Sequence, residues 1–319
     1  MTNYNWAIAG TGEIAQQFAL GFHEEQSTLY AVCSRNSETA KHFAAEYEIE
    51  QAYGNYEALL ADERVDIVYV AVPNRFHFDY IKKALLAGKH VLCEKAITLN
   101  LAELETLMQL AAKHNLILQE AMTIFNMPLY QRLTEIANSG RLGKLKMIQA
   151  PFGSYKEPDP TNRFFNPELA GGALLDIGTY AVSFATRFMS EAPTVIASQM
   201  QPFSTGVDEQ SVTILQNPAG EMAAVTLSFQ AKMPKVGIVA YEKGYLTIPE
   251  YPRADRGEII FTDGSKEVIE SGSTGQALNY EIANMVAAIE GASNHSLAWT
   301  YQATKVMDQM QQAWAQQNK

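Results

Sequence analysis

Gly10-Thr11-Gly12-Glu13-Ile14-Ala15 is the stretch on which the reading of the fold turns. It follows a short apolar run, Trp6 to Gly10. It opens a segment, Glu13 to His23, in which Ile14, Phe18 and Phe22 recur at helical spacing. A glycine loop between a strand and a helix is the context in which such a fingerprint binds a dinucleotide. Gly10 permits the tight turn, and Gly12 lets backbone approach a pyrophosphate. Ala15 is small enough for the helix to pack close to the strand. Backbone amides from Thr11 through Glu13 and Ile14 then face the phosphates.

The pattern downstream supports that context. Leu29 to Ser34 reads as a strand and Ser37 to Tyr47 as a helix. Val65 to Val72 is nearly continuous apolar sequence, as in a strand covered on both faces. Asn74 to Leu86 is helical and stops at Gly88. His90 to Cys93 is a strand, Leu101, Leu104, Leu107, Met108 and Ala111 stripe a helix, and Leu116 to Gln119 is a further strand. Alternating strands and helices with short connections predict a doubly wound parallel sheet, a Rossmann domain over residues 1–120. Ligands of such sheets bind at the carboxyl ends of the strands.

After residue 121 the pattern changes. Pro128 to Ser139 and Gly172 to Met189 read as helices, and Leu145 to Phe152 as a strand. From Thr194 to Ile269 strands follow one another, with turns at Asn217-Pro218-Ala219-Gly220, Glu242-Lys243-Gly244 and Asp263-Gly264. Two helices, Tyr280 to Glu290 and Trp299 to Gln317, close the chain. Residues 121–319 are expected to form an α+β domain with a large, mostly antiparallel open sheet and helices on one face.

A net charge of -11 over 319 residues argues against nucleic acid and anionic membrane as partners. Two cysteines, Cys33 and Cys93, sit in apolar runs and read as buried free thiols; no metal site is expected from them. No apolar run of about 18 residues is evident. The opening Met1-Thr2-Asn3-Tyr4-Asn5 lacks the features of a secretory leader. A cytoplasmic protein is the expectation.

Cofactor choice depends on the end of the second strand. NAD enzymes place an acid there for the ribose 2′-hydroxyl. Ala31-Val32-Cys33-Ser34-Arg35-Asn36 has none. Ser34 can donate to a 2′-phosphate and Arg35 can pair with it, so NADP is expected over NAD. Two more strand ends, Val72-Pro73-Asn74 with His77 and Cys93-Glu94-Lys95, fall where a nicotinamide would sit. In the second domain, Gly171 and Gly172 open a helix on which Asp176 and Tyr180 stand four residues apart. An ammonium beside a phenol stabilises the phenolate, so Lys95 and Tyr180 make a plausible proton-transfer pair. Phe152, Arg163, Phe164 and Phe165 are weaker candidates for a wall of the substrate site.

Together these residues resemble the glucose-fructose oxidoreductase, inositol dehydrogenase and rhizopine-catabolism family, Gfo/Idh/MocA. The carriers are the loop 10–15, Val72-Pro73-Asn74 with His77, Cys93-Glu94-Lys95, Glu120-Ala121 and the run Gly171 to Tyr180. The resemblance implies Lys95 as the catalytic lysine and Asp176 as a contact to a substrate hydroxyl. It implies association into a dimer or tetramer through the C-terminal sheet. Many members place a histidine where this chain has Tyr180. The Ala-Leu-Leu-Asp-Ile-Gly-x-Tyr form is most similar to the branch containing dimeric dihydrodiol dehydrogenase and NADP-dependent xylose dehydrogenase. In that branch tyrosine and lysine are the expected catalytic pair. Two departures stand out: Ala96 replaces the family proline after Glu-Lys, and Met122 to Asn126 lacks the branch's Trp and Arg. The implied reaction is hydride transfer between NADP(H) and a carbinol carbon of a sugar, polyol or trans-dihydrodiol. A non-catalytic NADP-binding sensor and an imine or biliverdin-type reductase are the other readings of the same scaffold.

Overall fold

The computed structural model describes residues 3–317; Met1 and Thr2, part of the N-terminal stretch read above, lie outside the described residues. The chain forms two units. The first runs to Met122 and takes in Leu278–Leu297; the second holds Thr123–Ala277 and the chain from Ala298 onward.

Six strands build the first unit: β1 (Tyr4–Ala9), β2 (Ser27–Cys33), β3 (Gln51–Tyr53), β4 (Ile67–Val70), β5 (His90–Glu94) and β6 (Leu118–Ala121). Their order is β3-β2-β1-β4-β5-β6, every pair parallel. The order reverses between β1 and β4, which opens a crevice at their carboxyl ends. β3 has only three half-buried residues, Gln-Ala-Tyr, so no apolar run marks it in the sequence.

The core explains the hydrophobic pattern. All of β4 is buried, as are Trp6 to Ala9 and Val91 to Cys93. Phe18 stacks on Tyr69 with ring centroids 3.8 Å apart. Full burial of one such side chain stabilises by roughly 1.5–3 kcal/mol. Ile282, Met285 and Val286 of the late helix Ala277–Ile289 fill the same core, which is why residues 278–297 belong to this unit. Cys33 and Cys93 are buried free thiols in β2 and β5.

The second unit carries an eight-stranded sheet: β7 (Leu145–Gly153), β8 (Thr194–Pro202), β9 (Asp208–Gln216), β10 (Met222–Ser228), β11 (Val236–Tyr241), β12 (Gly244–Pro249), β13 (Arg256–Phe261) and β14 (Lys266–Glu270). The order is β14-β13-β12-β11-β7-β10-β9-β8. Only β7 and β10 pair parallel; the others are antiparallel, as consecutive strands without helices require.

Helix Thr179–Phe188 covers one face of this sheet. Gly237 in β11 has no Cβ because the ring of Phe184 occupies that space. The opposite face exposes apolar side chains. β9 alternates buried Ser211, Thr213 and Leu215 with exposed Val212 and Ile214. Met147, Tyr245 and Val268 are exposed on neighbouring strands.

The helix predicted over Gly172–Met189 is not continuous. Leu174–Gly178 is a π-helical turn, with the Thr179 amide reaching back to the Leu174 carbonyl, and the α-helix begins at Thr179. Gly178 packs against Leu227 of β10, where a Cβ would come within 2.6 Å of the leucine methyl. An 18-residue window within residues 167–188 reaches a mean hydropathy of 1.2, the level of a spanning segment. Leu174, Leu175, Ile177, Ala181, Val182, Phe184 and Ala185 are buried in the second unit, as a core helix requires.

Candidate functional site

The crevice between β1 and β4 holds a cavity of about 310 Å³. Gly10, Thr11, Gly12, Ser34, Arg35, Val72 and Pro73, all predicted cofactor contacts, line it. Gly10 has φ +117, and its missing Cβ makes room for the Ala71 carbonyl at the end of β4. Gly12 faces open space, with nothing within 4 Å of where a Cβ would stand. That gap is what close approach of a pyrophosphate needs.

Helix Glu13–Gly21 supports the same use. Three other helices of this unit have an asparagine N-cap: Asn36, Asn55 and Asn100 each accept amide hydrogens of the first turn. Such a cap stabilises by about 1 kcal/mol. Helix Glu13–Gly21 starts instead at Gly12, with no side-chain cap. Its first amides stay available to an anion.

Arg35 is exposed at the end of β2 and makes no ion pair among the described residues. Asn36, which follows, is committed to capping. Among the described residues no acid lines the cavity, and Glu57, next to the lining residue Tyr56, is engaged by Lys83 at 2.7 Å. The cavity therefore ends in a free guanidinium rather than a carboxylate. Aromatic lining was not foreseen: Tyr56, Phe76 and Tyr80 also face the cavity, with Tyr56 stacked on Tyr80 at 4.4 Å. They lie in helices or turns, where core packing leaves the same sequence signal.

The other predicted contacts of this unit lie off the cavity. Glu13 is exposed on the helix and accepts from Gln17, and Ile14 packs at the edge of the core. Asn74 opens the 3-10 turn after Pro73. His77 is buried, not a lining residue. Its Nδ1 lies 2.8 Å from the Ala96 carbonyl oxygen and its Nε2 2.8 Å from that of Val72. Burial holds its pKa below the ordinary histidine value, while the two carbonyls pull it back up and the charge of Lys95 lowers it further.

His77 is one of three clamps on the segment carrying Lys95. Glu94 accepts the Tyr69 hydroxyl hydrogen at 2.5 Å and the Lys95 amide at 3.3 Å. Glu120 of β6 accepts the Ile97 amide at 3.0 Å. The Lys95–Ala96 peptide bond is cis. Lys95 itself is half-buried just past the end of β5.

In the second unit, the run Gly171 to Tyr180 is built around a residue the sequence did not reveal. Asp208, at the start of β9, accepts the Leu174 amide at 2.6 Å and also bonds the Ala173 amide. Its carboxylate fills the space beside Gly172, which adopts φ +121 with no side chain to accommodate. Gly171 is as constrained, since a Cβ there would press on the Phe164 and Arg163 carbonyls. Burial raises the Asp208 pKa to about 7, and the amides it accepts restrain the rise.

Asp176 lies in the π-helical turn, its side chain 18% exposed, with an Arg163 guanidinium nitrogen 3.9 Å from Oδ1. Tyr180 is half-buried, and its ring meets that of Phe152 at 6.1 Å. Arg163 and Lys156 both lie over Phe164, at 4.2 and 4.1 Å. Phe165 is core rather than wall: it is fully buried against Phe203 and Phe229.

Comparison with known proteins agrees with the fold. Residues 4–122 match the model of the GFO_IDH_MocA oxidoreductase family with its NAD-binding Rossmann fold, and residues 130–267 match the GFO/IDH/MocA C-terminal domain. The chain is 34% identical over 250 residues to a trans-1,2-dihydrobenzene-1,2-diol dehydrogenase of Xenopus tropicalis, covering 76% of this chain and 74% of that protein. Its fold is similar to that of KijD10, a 3-ketoreductase from Actinomadura kijaniata solved with NADP and TDP-benzene. The TM-score is 0.87 at 22% identity, over 98% of each chain. It is also similar to levoglucosan dehydrogenase solved with NADH and levoglucosan, with TM-score 0.87 at 19% identity over 99% of this chain and 98% of the other. The uncapped glycine loop, the parallel sheet around it and the two matched regions place this chain in the GFO/IDH/MocA family of oxidoreductases.

Proposed function

We propose that this oxidoreductase uses NADP and interconverts a carbinol and a carbonyl on a polyhydroxylated small molecule: a sugar, a polyol or a trans-dihydrodiol. The observation that carries the cofactor choice is Arg35, a guanidinium without an ion pair on the wall of a cavity whose strand end offers no acid. The 2′-phosphate fits that wall; a bare ribose diol lacks its usual acceptor there. Gly12 and the uncapped helix receive the pyrophosphate. When bound, the nicotinamide supplies or accepts the hydride.

The chain's own residues handle the proton. Tyr180 gives a proton to the carbonyl oxygen in reduction and takes it from the hydroxyl in oxidation. Lys95, held by the three clamps on its segment, favours the ionised phenol. Asp176 orients a second hydroxyl, with an Arg163 guanidinium nitrogen 3.9 Å from its Oδ1. The diol and sugar classes are supported by the names of the relatives, which act on such groups. Homo-oligomerisation in the cytoplasm completes the reading: Met147, Val212, Ile214, Tyr245 and Val268 form an exposed apolar face on the second sheet.

An NADP-coupled assay over aldoses, inositols, anhydro-sugars and trans-dihydrodiols tests the reading. Turnover of one class is expected. Lys95→Met and Tyr180→Phe should each lower kcat by about 10²–10⁴-fold while NADP binding persists. Near-normal rates in both variants reject the proton-transfer roles. Absence of turnover across the panel with either cofactor would favour the sensor reading instead.

A further inference from the structure

We infer that the second unit holds a binding site for a small oxyanion, a carboxylate or phosphoryl group, between Arg187, Trp299 and Tyr241. These side chains line a cavity of about 410 Å³. The proposal is independent of the function proposed above.

Arg187 stands in the last turn of helix Thr179–Phe188, with its guanidinium carbon 4.1 Å from the centre of the Trp299 ring. Its Nε is buried without a hydrogen-bond partner, and Arg187 makes no ion pair among the described residues. The helix C-terminus favours a cation there, but no carbonyl accepts from its Nε. Burial pulls the guanidinium down to about 10, and no carboxylate offsets that. Arg187 as a whole is half-buried, but a buried guanidinium nitrogen without an acceptor is costly, and a bound anion would complete it.

Two carboxylates lie on the cavity wall, the exposed Glu191 and the buried Glu221; neither makes an ion pair with Arg187 among the described residues, and Glu221 is already used. Glu221 accepts the Ser190 amide at 2.8 Å, the Ser190 hydroxyl at 2.9 Å and the Asn217 side-chain amide at 2.6 Å. It is also held in place by its own amide on Asn217. Tyr241 adds a second orphan: its hydroxyl is buried with no partner. A planar guanidinium and a phenol hydroxyl present donors that match an oxyanion. Stacking on Trp299 fixes the plane of the guanidinium, which suits two-point recognition. The cavity is in the size range of small-molecule sites, so the ligand is a small organic acid or a phosphorylated compound rather than a bare ion.

Isothermal titration of the full chain with inorganic phosphate, and separately with malonate, at fixed ionic strength tests the site. One-to-one saturable binding of at least one probe is expected. Binding of phosphate alone identifies a phosphoryl ligand, and of malonate alone a carboxylate. Arg187→Met should weaken it by at least about tenfold, Tyr241→Phe by a few fold, and Arg187→Lys by an intermediate amount. The titrations are run with a saturating nicotinamide dinucleotide present, so that Arg35 and the glycine loop, which line the other cavity, do not bind the probe. The proposal is overturned if neither probe saturates the wild type. It is equally overturned if affinity survives Arg187→Met. Should Arg187→Met fail to fold, the wild-type, Arg187→Lys and Tyr241→Phe titrations decide alone.

Discussion

Asp208 accepts the amide hydrogen of Leu174 at 2.6 Å and so fixes the start of the segment that carries Asp176 and Tyr180. The two residues are 34 positions apart in sequence. Burial raises the Asp208 pKa to about 7, well above the ordinary carboxylate range. The folded state therefore binds more protons than the unfolded chain between about pH 4 and 7. This group's contribution to stability is fully present below about pH 4 and is lost as pH rises through 7. Asp208→Asn keeps an acceptor for the Leu174 amide but cannot ionise. Thermal unfolding from pH 4.5 to 8 should show a decline in the wild type, worth up to a few kcal/mol, that the variant lacks. Parallel pH profiles would reject the assignment.

Arg35 should discriminate between cofactors. A charge-assisted hydrogen bond contributes about 1.5–3 kcal/mol. Arg35→Ala is expected to weaken NADP by about 10- to 100-fold and NAD by no more than about twofold. Fluorescence titration of both cofactors measures this, and equal losses would remove Arg35 from the 2′-phosphate site.

The exposed face of the second sheet should govern assembly. Val212 and Ile214 are 55% and 38% exposed on one strand. Replacing both with lysine adds two charges to that face and leaves the buried Ser211, Thr213 and Leu215 alone. Light scattering after size exclusion should report an oligomer for the wild type and a monomer for Val212→Lys/Ile214→Lys. A monomeric wild type, or an unchanged mass in the double variant, would reject the interface.

What the sequence revealed follows from the range of the forces involved. The glycine loop, the buried β4 and the helix stripes are local patterns, and the parallel sheet came out as read. Ser34, Arg35, Val72 and Pro73 were legible because strand ends in this topology converge on one crevice. His77 looked like a ligand contact because a histidine after a strand end carries no mark of burial; only the fold shows its ring between two carbonyls. Asp208 was invisible because its partner lies across the helix Thr179–Phe188 and strand β8. The π-helical turn was hidden for a related reason: Leu174 to Gly178 has ordinary helical composition, and packing of Gly178 on Leu227 is a tertiary fact.

The late helix Ala277–Ile289 has a consequence for the order of events at the ribosome. Ile282, Met285 and Val286 complete the apolar core of the nucleotide-binding unit, yet they are made 160 or more residues after that unit's last strand ends at Ala121. At about 5–20 residues per second, they arrive roughly 10–30 s later. Until then the nascent first unit exposes the apolar surface that this helix will cover, so a chain released early would be a client for chaperones rather than a working nucleotide-binding domain.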